Sequence, residues 1–381
     1  MPLYSEEQQA FRRTFKKYVD KEILPRFEEW ERHREVPRDF WREFGEYGYL
    51  CPWLPEEYGG AGAGFEYSMI ILEELARAGA GGVAVGVGVH SEIAAPYLAS
   101  FGSAEQKARW LPGCATGDMV MAIAMTEPGA GSDLQAIVTT AVKEGNKYVI
   151  NGQKTFISNG ICADLVLVAC KTDPRVDPPH KGISLIAVEA GAPGLIKGRK
   201  LEKLGLHCQD TAEIYFEDCR VPVGNLIGQE GQGFACMMQK LQQERLITAA
   251  LSQNLAERML SDALEYAGTR QAFGKPIGKF QHNAFKIAGM ATEVELGRTY
   301  LDRLVAEHIE GRDIITGVSM AKWWIGEMAN RVAYDCLQLF GGYGYMEEYP
   351  IARHYRDVRA HTIFAGSTEV MKLIIARRLG L

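Results

Sequence analysis

The sequence lacks the residue spacings that mark a metal site or a disulfide framework. Its eight cysteines include no C-x-x-C pair, and several stand in apolar runs typical of strands or helices, so we expect reduced and mostly buried thiols. Its eight histidines are scattered, and none shows the i, i+4 spacing that lets two imidazoles on one helix face bind a metal. We therefore expect no structural or catalytic metal.

The usual marks of nucleic-acid and membrane proteins are also missing. The formal net charge of -6 and the absence of a long basic run argue against a nucleic-acid surface. No apolar run reaches the length of a membrane span, and the charged start Met1-Pro-Leu-Tyr-Ser-Glu-Glu7 lacks the regions of a signal peptide. With 47% hydrophobic and 24% charged residues, the composition is ordinary for a soluble protein with more than one core. We expect a cytoplasmic protein.

Both ends of the chain show helical periodicity. From 5 to about 117, apolar residues such as Phe11, Phe15 and Val19 recur on one helical face. From Gly231 onward, long amphipathic patterns predict helices over 234–269, 280–311, 318–340 and 369–379.

The middle of the chain has a different period. Between about 118 and 227, apolar and polar residues alternate as they do in strands. Gly145-Asn146 and Asn151-Gly152 are predicted turns between these strands. The pattern predicts a small β domain between two helical ones, and we place the three domains at 1–117, 118–229 and 230–381.

The most informative segment is Ala124-Met-Thr-Glu-Pro-Gly-Ala-Gly-Ser-Asp133, which follows an apolar, strand-like run. Pro128 fixes φ, while Gly129 and Gly131 let the backbone approach a flat or charged group closely. Such a loop suits the edge of a ring or a phosphate. Taken alone, the same residues are equally typical of a plain surface turn.

Four further motifs resolve this alternative. They are Asn151-Gly-Gln-Lys-Thr-Phe-Ile-Ser-Asn-Gly160, Thr269-Arg-Gln-Ala-Phe-Gly274, Gln338-Leu-Phe-Gly-Gly-Tyr-Gly-Tyr345 and Phe364-Ala-Gly-Ser-Thr-Glu369. In this order and at these separations, they resemble the acyl-CoA dehydrogenases along the whole chain. The resemblance implies a multidomain α+β fold with an N-terminal α-helical domain, a small middle β-barrel and a C-terminal four-helix-bundle-like domain. It also implies FAD as cofactor, an acyl-CoA substrate, a homotetramer built as a dimer of dimers, and electron-transfer flavoprotein as the partner that takes the electrons.

The chemistry of such an enzyme sets the groups that its site needs. Forming a double bond next to a thioester removes an α proton and a β hydride, so the site needs a base, an electron acceptor and a polarised carbonyl. The resemblance implies that the flavin N5 accepts the hydride and that the product is trans-2-enoyl-CoA. It assigns the flavin contacts to Met125, Thr126 and Ser158, with Phe156 lying over the ring. Without the resemblance, Phe156 could equally fill the core of the β domain.

The base is where this chain departs from most of the family. Most members carry a catalytic glutamate where this sequence has Ala365, and a methyl group cannot accept a proton. A minority, including isovaleryl-CoA and long-chain acyl-CoA dehydrogenases, carries the glutamate before an Arg-Leu pair on the first long helix of the C-terminal domain. The matching segment here is Leu241-Gln-Gln-Glu-Arg-Leu246, so the resemblance implies Glu244 as the base.

Helical spacing supports Glu244 independently. Steps of three or four residues lead from Met237 through Leu241 to Glu244 and on to Leu251, so Glu244 belongs to the apolar stripe. Burial there should raise its pKa toward that of a useful general base. The alternative is an i-4 ion pair with Lys240 on a solvated helix surface.

Several neighbouring residues take substrate roles by the same matching. Arg245 resembles the arginine that meets the CoA part of the ligand, and Gln242 lies on the same segment, with a solvated helix face as its alternative. Ser132 matches a serine shared between flavin and CoA. At Ala365 and Gly366 the resemblance implies that the Ala365 backbone N-H donates to the thioester oxygen together with a flavin ribityl hydroxyl, as in an oxyanion hole.

The remaining matched positions concern the cofactor. Hydroxyls and free N-H groups where Ser367 and Glu369 open the last helix favour an anionic group or a ring carbonyl. A second set matches positions that in this family reach the FAD of a neighbouring subunit, where an arginine suits the pyrophosphate. That set is Arg270, Phe273, Gln281, Gln338 and Gly342. For the pair Gly341-Gly342, a helix C-cap is the structural alternative.

Two other activities and the choice of substrate stay open at this point. One alternative is an acyl-CoA oxidase-like enzyme that returns electrons to O₂, although such oxidases usually carry a longer C-terminal extension. The other is a flavoprotein of the same fold that binds acyl-CoA without dehydrogenating it. The small residues of 79–90 could leave a deep acyl pocket or allow close helix packing, so the acyl chain is not predicted.

Overall fold

The computed structural model describes residues 4–381. Residues 1–3 lie outside this range, and they belong to the segment in which we expect no signal peptide. Ser5 and Gln8 form a capping box at the start of the first helix, in which each side chain bonds the other's backbone N-H. Ser103 and Gln106 do the same for the seventh helix. The N-terminal helices are α1 Glu6–Tyr18, α2 Leu24–His33, α3 Arg38–Glu46, α4 Phe65–Arg77, α5 Gly81–Gly88, α6 Ala95–Phe101 and α7 Ala104–Thr116.

The middle of the chain forms one eight-stranded sheet. Its strands are β1 Met121–Ala124, β2 Thr140–Glu144, β3 Lys147–Ser158, β4 Leu165–Lys171, β5 Ile183–Glu189, β6 Leu195–Lys200, β7 Thr211–Pro222 and β8 Leu226–Ile227. The hydrogen-bonded path runs β6-β7-β3-β2-β4-β5-β8, and β1 pairs in parallel with β4. Strands β1, β4 and β5 are buried along most of their length, as near-continuous and mostly apolar runs.

One predicted turn is confirmed and the other is wrong. Gly145 has a φ of 61° and joins β2 to β3. Asn151-Gly152, in contrast, lies inside β3, where Gly152 has a φ of 150° and the pairing with β7 shifts register. A Cβ at Gly152 would stand 2.4 Å from Oγ1 of Thr139. The dipeptide therefore makes a bulge that lets Thr139 approach, and the strand continues past it.

Helices return after Ile227. The long helix that carries the candidate base starts at Gly233, one residue before its predicted start. The C-terminal elements are α8 Gly233–Thr269, the short strands β9 Gln271–Ala272 and β10 Lys275–Pro276, α9 Gln281–Ile309, α10 Ile315–Phe340, α11 Pro350–Val358 and α12 Thr368–Arg378. Gly341 ends α10 with a φ of 62°, so the predicted C-cap role is confirmed for this glycine.

A buried charge network joins the N-terminal and C-terminal helices. Glu73 on α4 is 1% exposed and accepts from Arg12 at 2.6 Å and from Arg298 at 2.9 Å. Arg298 also donates to Glu257 of α8 at 2.8 Å. Burial alone would raise the pKa of Glu73, but the two guanidinium groups reverse this and lower it. The network fixes α4 and α9 against α8.

The predicted fold class is confirmed: helices, then a sheet, then helices. The domain boundaries that we placed after 117 and 229 stay predictions. All eight cysteines are free thiols, and all but Cys162 are buried. Within residues 4–381, no helix is long and apolar enough to cross a membrane, and no group of three or more His, Cys, Asp or Glu side chains has the geometry to hold a metal ion.

Candidate active site

Glu244 lies on α8 and is 7% exposed, as the apolar stripe predicted. Its Oε1 accepts a hydrogen bond of 2.9 Å from the hydroxyl of Tyr97 on α6. The Tyr97 side chain is fully buried. The alternative of a surface ion pair with Lys240 is wrong, because that ammonium lies 5.8 Å from the ring centroid of Phe101 instead. The helix thus carries its carboxyl group into the interior.

Burial sets the protonation behaviour of this carboxyl group. It raises the pKa of Glu244 to about 7, against smaller lowering effects from the Tyr97 hydrogen bond and the charge of Arg245. A carboxyl group with a pKa near neutrality can take a proton at physiological pH and hold it through a reaction step. This is the behaviour of a general base.

Two buried cations, Arg245 next to Glu244 on α8 and Lys322 on α10, lie close enough for the charge of Arg245 to act on Lys322. Arg245 is 7% exposed, and among residues 4–381 its Nε has no hydrogen-bond partner. Lys322 on α10 is 1% exposed and donates through Nζ to the carbonyl of Gly366. Burial, reinforced by the charge of Arg245, lowers the pKa of Lys322 to about 8. A buried guanidinium with a free donor is suited to an anionic or strongly polar ligand.

The turn held by Lys322 has an unusual backbone. Ala365 has a φ of 54° and Gly366 a φ of 94°, and positive φ is uncommon outside glycine. The turn leads into α12, where the Ser367 side chain accepts from the backbone N-H of Val370 at 3.4 Å. Glu369, in the first turn of α12, is exposed. The Ala365 side chain offers no proton acceptor.

A second group of predicted residues meets at the end of β3. The backbone N-H of Thr155 donates to the carbonyl of Thr126 at 3.0 Å, which brings the two motifs side by side. Phe156 has a φ of 59° and is 68% exposed, so the alternative that it fills a core is wrong. Ser158 is half-buried, and Ser132 is exposed on the loop that carries Thr126. An exposed aromatic ring beside several hydroxyls fits a planar ring with polar edges, such as the isoalloxazine of FAD.

The third group lies on the surface of the C-terminal helices. The guanidinium carbon of Arg270 lies 5.3 Å from the ring centroid of Tyr343, and Phe273 is 96% exposed with a φ of 49°. The other three members of the group are also exposed. They are Gln281, Gln338 and Gly342. Within residues 4–381, no hydrogen bond or ion pair joins this group to Glu244 or Phe156. In a single chain, this third group therefore faces solvent.

Two further predicted features have structural partners. Oε1 of Gln242 accepts from the backbone N-H of Ile314 at 3.4 Å, just before α10, so this side chain is not simply solvated. In the small-residue segment, a Cβ at Gly82 would stand 2.4 Å from Sγ of Cys208, so close packing accounts for that glycine. At Gly88 the nearest contact of a Cβ would be an ordinary 3.6 Å, to Leu72.

Sequence reasoning missed Tyr97 and Lys322. Lys322 follows Val318 and precedes Ile325 at helical spacing, so its place on an apolar stripe was visible in the sequence. Tyr97 offered no such signal, because a tyrosine among apolar residues is ordinary.

Comparisons with known proteins identify the family of this chain. Family models of the acyl-CoA dehydrogenase N-terminal, middle and C-terminal domains match residues 5–118, 122–219 and 231–380. The long-chain specific acyl-CoA dehydrogenase of Sus scrofa mitochondria is 43% identical over 377 residues, which cover 99% of this chain and 87% of that protein. The mitochondrial isovaleryl-CoA dehydrogenase of Pongo abelii is 37% identical over 98% of this chain and 88% of its own. The crystal structure of an acyl-CoA dehydrogenase from Geobacillus kaustophilus is 56% identical, covers 99% of both chains and superposes with a TM-score of 0.98. The chain therefore belongs to the acyl-CoA dehydrogenase family, whose members are FAD-dependent oxidoreductases acting on acyl-CoA thioesters.

Proposed function

We propose that this protein converts an acyl-CoA thioester to the trans-2-enoyl-CoA and that Glu244 removes the α proton. The observation that carries this proposal is the buried carboxyl group of Glu244, whose pKa burial raises to about 7. Ala365 leaves the other family position without an acid. A buried base of near-neutral pKa is what proton abstraction next to a thioester needs.

The neighbours of Glu244 support this role. Tyr97 bonds to Oε1, so we assign proton transfer to Oε2. The backbone N-H of Ala365 is our candidate donor to the thioester oxygen, and Lys322 braces its turn through the Gly366 carbonyl. Arg245 keeps a buried donor free for the CoA part of the substrate, and we assign Gln242, Gly366 and Ser132 to substrate contacts as well.

FAD, when bound, supplies the acceptor for the β hydride. We propose that Met125, Thr126 and Ser158 hold the ring while Phe156 covers it. The contact between Thr126 and Thr155 and the exposure of Phe156 support this assignment. Ser132, Ser367 and Glu369 complete the contacts that we assign to one FAD from its own subunit.

Assembly is part of the proposal. We propose that the exposed third group reaches the FAD of a neighbouring subunit in a homotetramer, since covering Phe273, which is 96% exposed, would stabilise such an assembly. That group is Arg270, Phe273, Gln281, Gln338 and Gly342. We further propose electron-transfer flavoprotein as electron acceptor and a cytoplasmic location.

The acyl group of the substrate can be identified by experiment. The names of two relatives refer to a long chain and to the branched isovaleryl group, so a panel must contain both kinds. Anaerobic mixing of the enzyme with each acyl-CoA should bleach the visible flavin absorbance for at least one of them. Oxygen consumption without another acceptor would instead identify an oxidase.

The decisive variant is Glu244→Gln, which keeps the shape and removes the proton acceptor. We expect it to bind FAD and acyl-CoA but to bleach at well under a tenth of the wild-type rate. The matched control is Glu265→Gln, an exposed glutamate on the same helix, which should behave like the wild type. Retention by Glu244→Gln of more than about a tenth of kcat, a barrier change of ~1.4 kcal/mol or less, would refute the assignment.

A further inference from the structure

A buried lysine and a buried glutamate join the two motifs that we assign to the flavin. Lys154 on β3 is fully buried, and its Nζ lies 2.7 Å from Oε1 of Glu127 and 2.9 Å from the carbonyl oxygen of Met125. Glu127 is 3% exposed. Its Oε1 also accepts from the backbone N-H of Thr139 at 3.0 Å, and its Oε2 accepts from that of Val138 at 2.6 Å.

Stability alone is a poor reason for this pair. Withdrawing both charges from water costs about as much as their attraction returns, and well-packed apolar residues often stabilise a fold better. The pair instead fixes the relative positions of several backbone segments, because its hydrogen bonds reach different stretches of the chain. Three segments meet through it: the loop 125–127, the entry to β2 at 138–139, and β3 at Lys154.

The sheet itself does not fix this junction. The pairing of β3 with β7, already shifted once at Gly152, stops after Lys154 and resumes only at Ile157, after a second register shift. Thr155 and Phe156 lie in that gap, and Phe156 takes a φ of 59°. Thr155 is instead bonded to the carbonyl of Thr126. Thr155, and with it the adjacent Phe156, is therefore held by the loop 125–127, and Lys154 holds that loop.

We propose that the Lys154–Glu127 pair is a positioning device for FAD, which fixes the Met125-Thr126 backbone against Thr155-Phe156 before the cofactor binds. The inference rests on the proposed flavin contacts of these loops. Lys154 and Glu127 are positioning residues, since they act through Met125, Thr126 and Phe156. Pre-organisation of this kind raises affinity by removing the ordering that the ligand would otherwise have to impose.

The test compares Lys154→Met with the double variant Lys154→Met/Glu127→Gln. Titration of the apoprotein with FAD gives the Kd, the flavin absorbance spectrum reports the ring environment, and thermal unfolding gives Tm. We expect Lys154→Met to lower Tm, to weaken FAD binding at least tenfold and to alter the spectrum. In the double variant, Tm should largely recover because no unpaired carboxylate is left buried. FAD affinity should not recover with it, since the bond to the Met125 carbonyl is still missing.

Lys200→Met is the matched control. Lys200 lies on β6 of the same sheet and, like Lys154, donates to a carbonyl, that of Arg34 at 2.7 Å, and to a carboxylate, that of Glu35 at 3.0 Å. Its loss should leave the FAD Kd within about twofold of the wild-type value.

Two results would overturn the inference. One is an unchanged FAD Kd in a folded Lys154→Met protein, and the other is recovery of Kd together with Tm in the double variant, which a purely structural role predicts. If Lys154→Met does not fold, Glu127→Gln alone decides, with an expected loss of at least threefold in FAD affinity. All of these readouts are independent of turnover, so an active Glu244→Gln enzyme would refute the proposed base and leave this inference standing.

Discussion

The hydroxyl oxygen of Tyr97 lies 2.9 Å from Oε1 of Glu244, and this contact links α6 to α8 in the interior of the protein. Burial raises the pKa of Tyr97 well above its usual range, so its hydroxyl remains a donor. Donation to a carboxylate favours the charged form, whereas burial of Glu244 favours the neutral one. The outcome of these opposed effects is a pKa of about 7 for Glu244.

The pH dependence of activity should follow this balance. Because Glu244 must be deprotonated to act, kcat/KM should rise with pH and level off above a midpoint near 7. Tyr97→Phe removes the bond that favours the carboxylate, so the midpoint should move upward by about one unit. Steady-state rates between roughly pH 5.5 and 9 measure both midpoints. A variant midpoint equal to or below that of the wild type would contradict a tuning role for Tyr97.

Stability should depend on the same group, independently of catalysis. The pKa of Glu244 is raised in the folded protein, so folded chains hold this proton more tightly than unfolded ones, and the wild type loses stability as pH rises from about 4.5 to about 7. Glu244→Gln does not titrate. The variant should therefore match the wild type near the lower pH and exceed it by on the order of 1–3 kcal/mol above the upper one.

Thermal unfolding of the apoproteins at the two ends of this range checks the prediction. The exposed control Glu265→Gln should show no such gain. If Glu244→Gln is no more stable than the wild type on the alkaline side, the carboxyl group is not desolvated in the way that its burial indicates.

Helices were predictable from the sequence where their amphipathic pattern was long. The predicted range 234–269 agrees with Gly233–Thr269 to within one residue, and the burial of Glu244 followed from the same pattern, since helical spacing reports which face is covered. Asn151-Gly152 was misread because an Asn-Gly pair favours positive φ both in turns and in bulges. Only its pairing with distant residues distinguishes the two.

The partners in the site were beyond such patterns. Tyr97 and Glu244 are 147 residues apart, and Lys154 and Glu127 are 27 apart, so neither pair leaves a local periodic signal. Lys154 and Glu127 both stand in motifs that the sequence singled out, yet nothing local indicates that they bond to each other. Their pairing is a property of the tertiary fold.

Assembly can be tested through an exposed arginine. If Arg270 contacts the FAD of a neighbouring subunit, Arg270→Ala should lower the flavin content by severalfold, and loss of flavin should accompany dissociation. Arg303→Ala is the matched control, because Arg303 lies over the ring of Tyr300 at 4.8 Å much as Arg270 lies over that of Tyr343 at 5.3 Å. Light scattering with flavin absorbance measures mass and occupancy together. A fully flavinylated and active monomer would refute the shared site.

Moving the base tests whether Glu244 and position 365 are alternatives for one role. In Glu244→Gly/Ala365→Glu the carboxyl group leaves α8 and enters the turn braced by Lys322. Ala365 already has a φ of 54°. Alanine and glutamate both carry a Cβ, so the substitution adds little backbone strain. Some dehydrogenation should therefore return, relative to Glu244→Gly alone.

The recovered activity should be small and selective. A displacement of ~1 Å can cost on the order of 10²-fold in rate, and the new side chain takes up space where we expect the top of the acyl pocket. We therefore expect the double variant to prefer slimmer, straight-chain thioesters over branched ones. Rates of flavin bleaching with the acyl-CoA panel measure both effects. If the double variant folds with full FAD but bleaches no faster than Glu244→Gly on any acyl-CoA, the two positions are not interchangeable sites for the base in this protein.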